Sequence, residues 1–551
     1  MKKISFILIA AIACMGVAAA QNAEEERIQL PEMTTTVSGD TVVAGRDAVP
    51  DFSKVVPSAG AEKNIMPKLP GERIMAEDAG AEPVADFVSG DHKNVYAQGL
   101  VGGGFPGDFI GDFSVYKTEG TDPFRIDFSH FSRNGYGKHD GGDGFFDNGT
   151  KLYAEKSFRA MSSDFTIGGR YDRAGSGLQG KSDNFYDMNS QKVTACFLFD
   201  HVFGDSGFEF YSDSEAYWYN RYCGMKLDDP SLTIQEKDID VFFADPGFVF
   251  SFYSQGFSAS LDLNMQIESF LGKHDTAAID DLFRVDAAIV TGYENDIVTA
   301  FAKGGIAGGT EIGEGRTIVP FFATGAEVRV EMGSTGRTLV VGLNGGLETK
   351  HEEFAGLERK YKFAQLDSLT DETTDWFVNS KIVLPLFETI SFNSGVEFRK
   401  SAFGNGIFEA DYSHRMPNGV YKFHMDERTQ VTTDNGITFR MGIFTVRGGW
   451  RAHWSHVPAN DYRHTVEGTI GYDDDDGKWG FSAGVAEAID SDSDKCPNLR
   501  ASIYFNIKTV MKLSLEVEDA IKLFSGSDRD FVETDYLVRA GSVTLLSRFF
   551  F

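Results

Sequence analysis

No run of this sequence approaches the ~18 uncharged apolar residues that a membrane helix requires. A helix-spanning protein is thereby excluded, and any membrane-embedded form must be a closed barrel, the other architecture that satisfies every backbone group in lipid. Proline is scarce, with 15 residues in 551. Six of these (Pro31, Pro50, Pro57, Pro67, Pro70, Pro83) fall before residue 94, which leaves the rest free to run in long strands. Cysteine is scarcer still, at Cys14, Cys196, Cys223 and Cys496, too few for a disulfide framework. A hairpin centred on Gly204–Gly207 sets Cys196 opposite roughly residue 215, so its register disfavours a bridge to Cys223. Cations are also in deficit: 52 Lys and Arg against 82 Asp and Glu give a net charge of −30. Nucleic acid is therefore not an expected partner, because phosphate binding needs clustered Lys and Arg.

What is abundant is glycine (60) and phenylalanine (48), a composition suited to tight turns and aromatic girdles. The first residues read as an export signal: Lys2 and Lys3, an apolar stretch from Ile4 to Ala13, then Ala18–Ala20 as a cleavage site before Gln21. Lipidation at Cys14 is the rival reading, and the leucine expected before such a cysteine is missing. Residues 21 to about 93 show no sustained period of 2 or 3.6 and read as an extended or disordered periplasmic tail.

From about Val95 the chain alternates with period 2. Between Phe257 and Ile267 one face carries Phe257, Ala259, Leu261, Leu263, Met265 and Ile267, and the other Ser258, Ser260, Asp262, Asn264 and Gln266. Similar strands recur around Leu339–Leu347, Ile390–Phe398, Ile437–Ile443, Val446–Trp454, Trp479–Val485 and Leu499–Phe505. A soluble sandwich alternates too. However, these strands exceed the ~5–6 residues of ordinary sheets, and their polar faces carry charges of both signs, as a wet lumen would. The expected fold is all-β: a large antiparallel transmembrane β-barrel of about 20–24 strands over residues 94–551, after a signal (1–20) and a tail (21–93). Short turns such as Gly333–Gly336 are expected on the periplasmic side, and longer segments such as His139–Gly149 and Ser491–Asn498 outside.

The final residues place Val543, Leu545, Phe549 and Phe551 on one face. This resembles the terminal strand of bacterial outer-membrane proteins, which implies an outer-membrane location, contact with its lipid, and recognition by the barrel-assembly machinery. The stretch from about Asn498 resembles the end of a TonB-dependent receptor, with Leu513–Val517, Tyr536, Gly541 and Phe551 in the matching places. Glu518–Asp519 stands where the family usually has Asn-Leu. Asp40, Thr41, Val42 and Val43 are similar to a TonB box, the segment that pairs with a TonB-like energy-coupling protein by strand addition. Residues 44–93 are too few for the folded plug of that family, so the resemblance implies a relative with little or no plug.

Enzymatic and cofactor motifs are weak. Gly102–Gly107 fits a dinucleotide fingerprint formally but precedes no helix pattern and contains Pro106, so it reads as a turn. Asp473–Asp476 lacks the ligands of an EF-hand, and the alternating Asp490, Asp492 and Asp494 offer at most loose surface calcium binding. No nucleophile–base set stands out, and no cofactor is implied. Arg440, Arg447, Arg451, His453 and Glu467 fall on polar strand faces, where they form either a solute-selecting constriction or an ordinary ion-paired wall. The expected function is an outer-membrane channel or TonB-linked transporter for an unidentified small solute. The alternative is a surface adhesion protein anchored by its barrel.

Overall fold

The computed structural model describes residues 95–550, apart from 118–121, 135–145, 161, 180–184, 205, 227–237, 272–280, 311–316, 333–336, 362–363, 366–372, 388, 403–406, 416–420, 427–428, 459–461, 475–476, 490–496, 509 and 526–540. The TonB-box-like segment, Tyr536, Phe551 and the Gly333–Gly336 turn lie outside the described residues. Twenty-two antiparallel strands form one sheet. It runs from β1 (Tyr96–Phe105) and β2 (Asp108–Lys117) through to β24 (Met511–Glu518) and β25 (Ser542–Phe550). The sheet closes because β25 pairs with β1, from Gln98↔Phe550 to Phe105↔Val543. Closure removes the edge that an open sheet would expose to lipid. The glycine run Gly102–Gly104 lies inside β1, and the turn is confined to Pro106–Gly107. The turn reading of Gly102–Gly107 is corrected accordingly. Phe146–Gly149 likewise belongs to a strand, Phe146–Ala160, so the expected outer loop there is shorter.

Two neighbouring register rows show why the chain folds this way. Phe113, Phe128, Leu152, Tyr171, Val193 and Trp218 are consecutive partners across six strands. One residue away, Asp112, Ser129, Lys151, Asp172, Lys192 and Tyr219 form the adjacent row. Successive side chains point to opposite faces, so one row faces out and the other lines the interior. The apolar row is the exposed one, with Phe128 at 42% and Leu152 at 46%. A row with four charges cannot face lipid without a cost of several kcal/mol, so the polar face is the lumen.

Aromatic rings mark both edges of the outer band. Phe444, Tyr472 and Trp479 sit together at one end, with ring centroids 5.2 and 4.7 Å apart. Trp450, Trp454 and His464 cluster at the other, with Trp454 5.8 Å from each. Ten residue steps separate Phe444 from Trp454, about 33 Å along the strand. At a tilt of ~40° that is about 25 Å of height, the thickness of the apolar belt of a membrane barrel. From β7 (Phe208–Lys226) onward, connections alternate in length around the sheet. The short ones, such as Gln255–Gly256 and Gly442–Ile443, share an end with Phe550. The opposite end carries the long ones, including a small three-stranded sheet of β14 (Ala364–Gln365), β17 (Ile407–Arg415) and β18 (Tyr421–Asp426).

Near the closing strands, Gly541 has a structural reason. A Cβ there would stand 2.1 Å from the Asp519 carbonyl oxygen and 2.4 Å from that of Glu518. The glycine that the family pattern expects is therefore required where the chain enters β25.

Candidate functional site

The lumen wall departs from its polar rule most extensively where a helix packs against it. On β7 (Phe208–Lys226) and β8 (Asp238–Ser254), the lumen-facing positions near the long-connection end are Tyr217, Tyr219, Ile239, Val241 and Phe243. Each is at most 5% exposed. They are covered by α1 (Phe354–Lys360), a helix in the connection between β13 (Arg337–Lys350) and β15 (Thr373–Pro385). The helix presents Phe354, Ala355, Leu357 and Tyr361 to this wall, an i, i+1, i+3, i+7 stripe of one helical face. Phe354 and Leu357 are 0% and 1% exposed. Burial on this scale contributes ~1.5–3 kcal/mol for each.

Polar contacts fix the seat. Glu268, at the end of β9 (Phe257–Phe270), uses both carboxylate oxygens. Oε1 accepts the Phe354 backbone N–H at 2.9 Å, and Oε2 lies 2.8 Å from His351 Nε2. A wall carboxylate thus caps the first N–H of the helix, a donor with no partner inside the helix itself. Glu353, the N-cap residue, turns outward to accept the Tyr217 hydroxyl at 2.7 Å. Glu358 accepts the Tyr219 hydroxyl at 2.7 Å and is paired with Arg221, whose Nη2 lies 2.6 Å away. Lys192 stands 3.6 Å over the Tyr217 ring and 3.7 Å from both Glu215 and Glu353. On the approach to the helix, Arg284 of β10 (Leu282–Glu294) donates to the Thr349 carbonyl at 2.9 Å. Arg359 and Lys360, in the last turn, suit the helix dipole, and Arg359 is exposed.

The five residues singled out from the sequence all lie on the lumen face. They sit on β19 (Thr429–Met441), β20 (Phe444–His453) and β21 (His464–Asp473). Their strand neighbours Val446, Trp450 and Val466 are exposed on the other face. Arg451 donates to Asp434 Oδ2 from Nε at 3.3 Å and Nη2 at 3.2 Å. His453 is 3% exposed, with Nδ1 3.0 Å from Thr432 Oγ1. Glu467 lies 3.8 Å from Arg500. Arg447 faces Thr438 and Thr469 in register, and Arg440 faces Thr445. Arg447 and Arg451 are four residues apart, about 13 Å along the strand. The five therefore form a strip on adjacent strands. In the 22-strand circuit this strip stands ten strands from β7, close to diametrically opposite the helix seat.

Val543, Leu545 and Phe549 share the outer face of β25, with Leu545 50% exposed. Cys196 is the register partner of Glu215, as the hairpin reasoning expects, and neither Cys196 nor Cys223 forms a disulfide. Among the described residues no group of three or more His, Cys, Asp or Glu is arranged to hold a metal ion. The helix seat is the feature that sequence reasoning missed. Its signal was present in Tyr217–Trp218–Tyr219 and Val241–Phe242–Phe243, where both strand faces are apolar although one should be wet.

No protein-family model matches the chain, and no curated protein does. Solved structures do. The FrpB iron transporter from Neisseria meningitidis superposes with a TM-score of 0.59 at 8% identity, over 84% of this chain and 82% of that one. The ferric enterobactin receptor PfeA from Pseudomonas aeruginosa gives 0.59 at 8%, over 84% and 82%. The alcaligin outer membrane receptor FauA from Bordetella pertussis gives 0.54 at 10%, over 84% and 77%. The chain has the fold of these transporter and receptor barrels, which is the fold implied by its resemblance to a TonB-dependent receptor.

Proposed function

We propose that the protein is an outer-membrane transporter that carries a small solute through its barrel, with energy supplied by a TonB-like partner. The observation that carries this reading is the closed 22-strand barrel with an apolar outer belt and a charged lumen. Twenty-two strands at ~4.8 Å spacing and ~40° tilt enclose a ring about 44 Å across, backbone to backbone, far more than side chains alone can fill. The solved barrels of this fold are named for iron, ferric enterobactin and alcaligin, so a metal ion or its small chelate is the solute class to test first. Asp40–Val43 would be the segment that meets the energy-coupling protein. The strip Arg440, Arg447, Arg451, His453 and Glu467 would take part in selecting the solute. Val543, Leu545, Phe549 and Phe551 would be read by the assembly machinery. No catalytic role is proposed.

The test is uptake of labelled ferric chelates and copper by cells that express or lack the protein, with the inner membrane energised or collapsed. Energy-dependent accumulation only in expressing cells is the expected result. Equal accumulation in both, with the barrel confirmed at the surface, overturns the reading. Adhesion lost on trimming the outer loops, with unchanged permeability, would favour the anchored-adhesion alternative.

A further inference from the structure

We infer that the connection bearing α1 is a fixed crossbar, and that it sets the size limit of the passage. The inference rests on the transport reading above. A loop that merely visits the lumen would leave a polar wall behind it when it swings out. Here the wall carries a matching seat: Tyr217, Tyr219, Ile239, Val241 and Phe243 make an apolar patch on the lumen face, and α1 covers it. Unseating α1 would put these five apolar groups and the buried face of the helix into water together, against the hydrophobic effect.

The polar contacts point the same way, because they come from two separate wall strands. Glu268 on β9 holds the start of the helix, Tyr217 on β7 reaches Glu353, and Arg221 with Tyr219 on β7 hold Glu358. Arg221 and Glu358 are 7% and 4% exposed, so opening strips a buried ion pair as well as an apolar seat. The backbone adds a further restraint: β14, four residues after α1, pairs in parallel with β18 of the connection between β16 (Ile390–Ser401) and β19. Moving α1 must break that pairing or carry the second connection with it. A helix is about 10 Å across with its side chains, so a permanently seated α1 removes that much from one side of the mouth. Solute then passes on the side where Arg451 and His453 lie.

The experiment uses the full chain in liposomes, comparing wild type with Phe354→Asp/Leu357→Asp and with a form in which residues 352–361 are replaced by a short Gly-Ser linker. Hydrogen exchange reads the seat, and swelling in neutral polyethylene glycols of graded size reads the passage. Wild-type residues 354–361 should exchange as slowly as the β7–β8 wall, the double-Asp variant should lose that protection, and β7 and β8 should keep theirs in both variants. Both variants should then admit glycols that the wild type excludes. An unchanged size limit in a variant whose α1 is unseated overturns the inference while leaving transport standing. Wild-type α1 that exchanges within seconds overturns the fixed seat. Permeation by none of the three forms, with the barrel folded, overturns the size limit while leaving the transport reading to the uptake test.

Discussion

Removing the Glu358 carboxylate should unfasten α1 without unfolding the barrel. Glu358→Ala takes the Glu358 carboxylate away from both the buried Arg221 guanidinium and the Tyr219 hydroxyl. Breaking a buried pair in this way costs ~3–5 kcal/mol. The apolar hold of Phe354 and Leu357 together is about 3–6 kcal/mol, at ~1.5–3 for each, so the two terms are of the same size and the seat of the variant is left marginal. Because α1 is a connection and not a strand, the loss falls on the seat. At ~1.4 kcal/mol per decade, amide protection over residues 354–361 should fall on the order of 10²–10⁴-fold, while β7 and β8 are unchanged. Glu358→Gln keeps the shape and one acceptor and should fall less. Replacing both partners, as Glu358→Leu with Arg221→Met, should recover much of the protection, since an apolar pair of similar volume avoids the desolvation cost. Hydrogen–deuterium exchange with peptide resolution is the assay. Protection in Glu358→Ala equal to wild type would refute the reasoning, and so would equal loss across β7, β8 and α1.

Four other outcomes follow from the same structure. Ile289 is 63% exposed at the middle of β10, so Ile289→Arg should cost ~2–4 kcal/mol in urea unfolding from vesicles. Asp262→Asn, on the lumen face of β9, should stay within about 0.5 kcal/mol. Gly541→Val forces a Cβ onto the Glu518 and Asp519 carbonyls, so a destabilisation of ~1–3 kcal/mol should appear as a smaller heat-modifiable fraction on gels. Arg447→Glu and Arg451→Glu should each shift the reversal potential of an open barrel toward cations. Arg451→Glu also sets a second carboxylate beside Asp434.

The barrel was legible in the sequence because period-2 alternation is a local signal. Leu261 and Asp262 declare their faces wherever the strand ends up, and the Gly204–Gly207 turn fixes the partner of Cys196 to within a residue. Strand ends were less legible. Gly102–Phe105 continues β1 although glycines there suggest a turn, because close packing against Leu546 and the Val543 carbonyl needs them inside the strand. The helix seat was not read at all. Seven residues of helix make a weak period, and the partners of Glu353 and Glu358 lie 136 to 139 residues away. The faces of Arg440, Arg447 and Arg451 follow from alternation, whereas the pairing of Arg451 with Asp434 depends on the β19–β20 register.

The measurement that tests the central claim most directly is single-channel conductance in planar bilayers, for the full chain and for a form lacking residues 21–93. A solute-conducting barrel predicts discrete conductance steps in at least the shortened form, with wider steps when α1 is also unseated. Silence in both forms, with a folded heat-modifiable barrel in each, would contradict it.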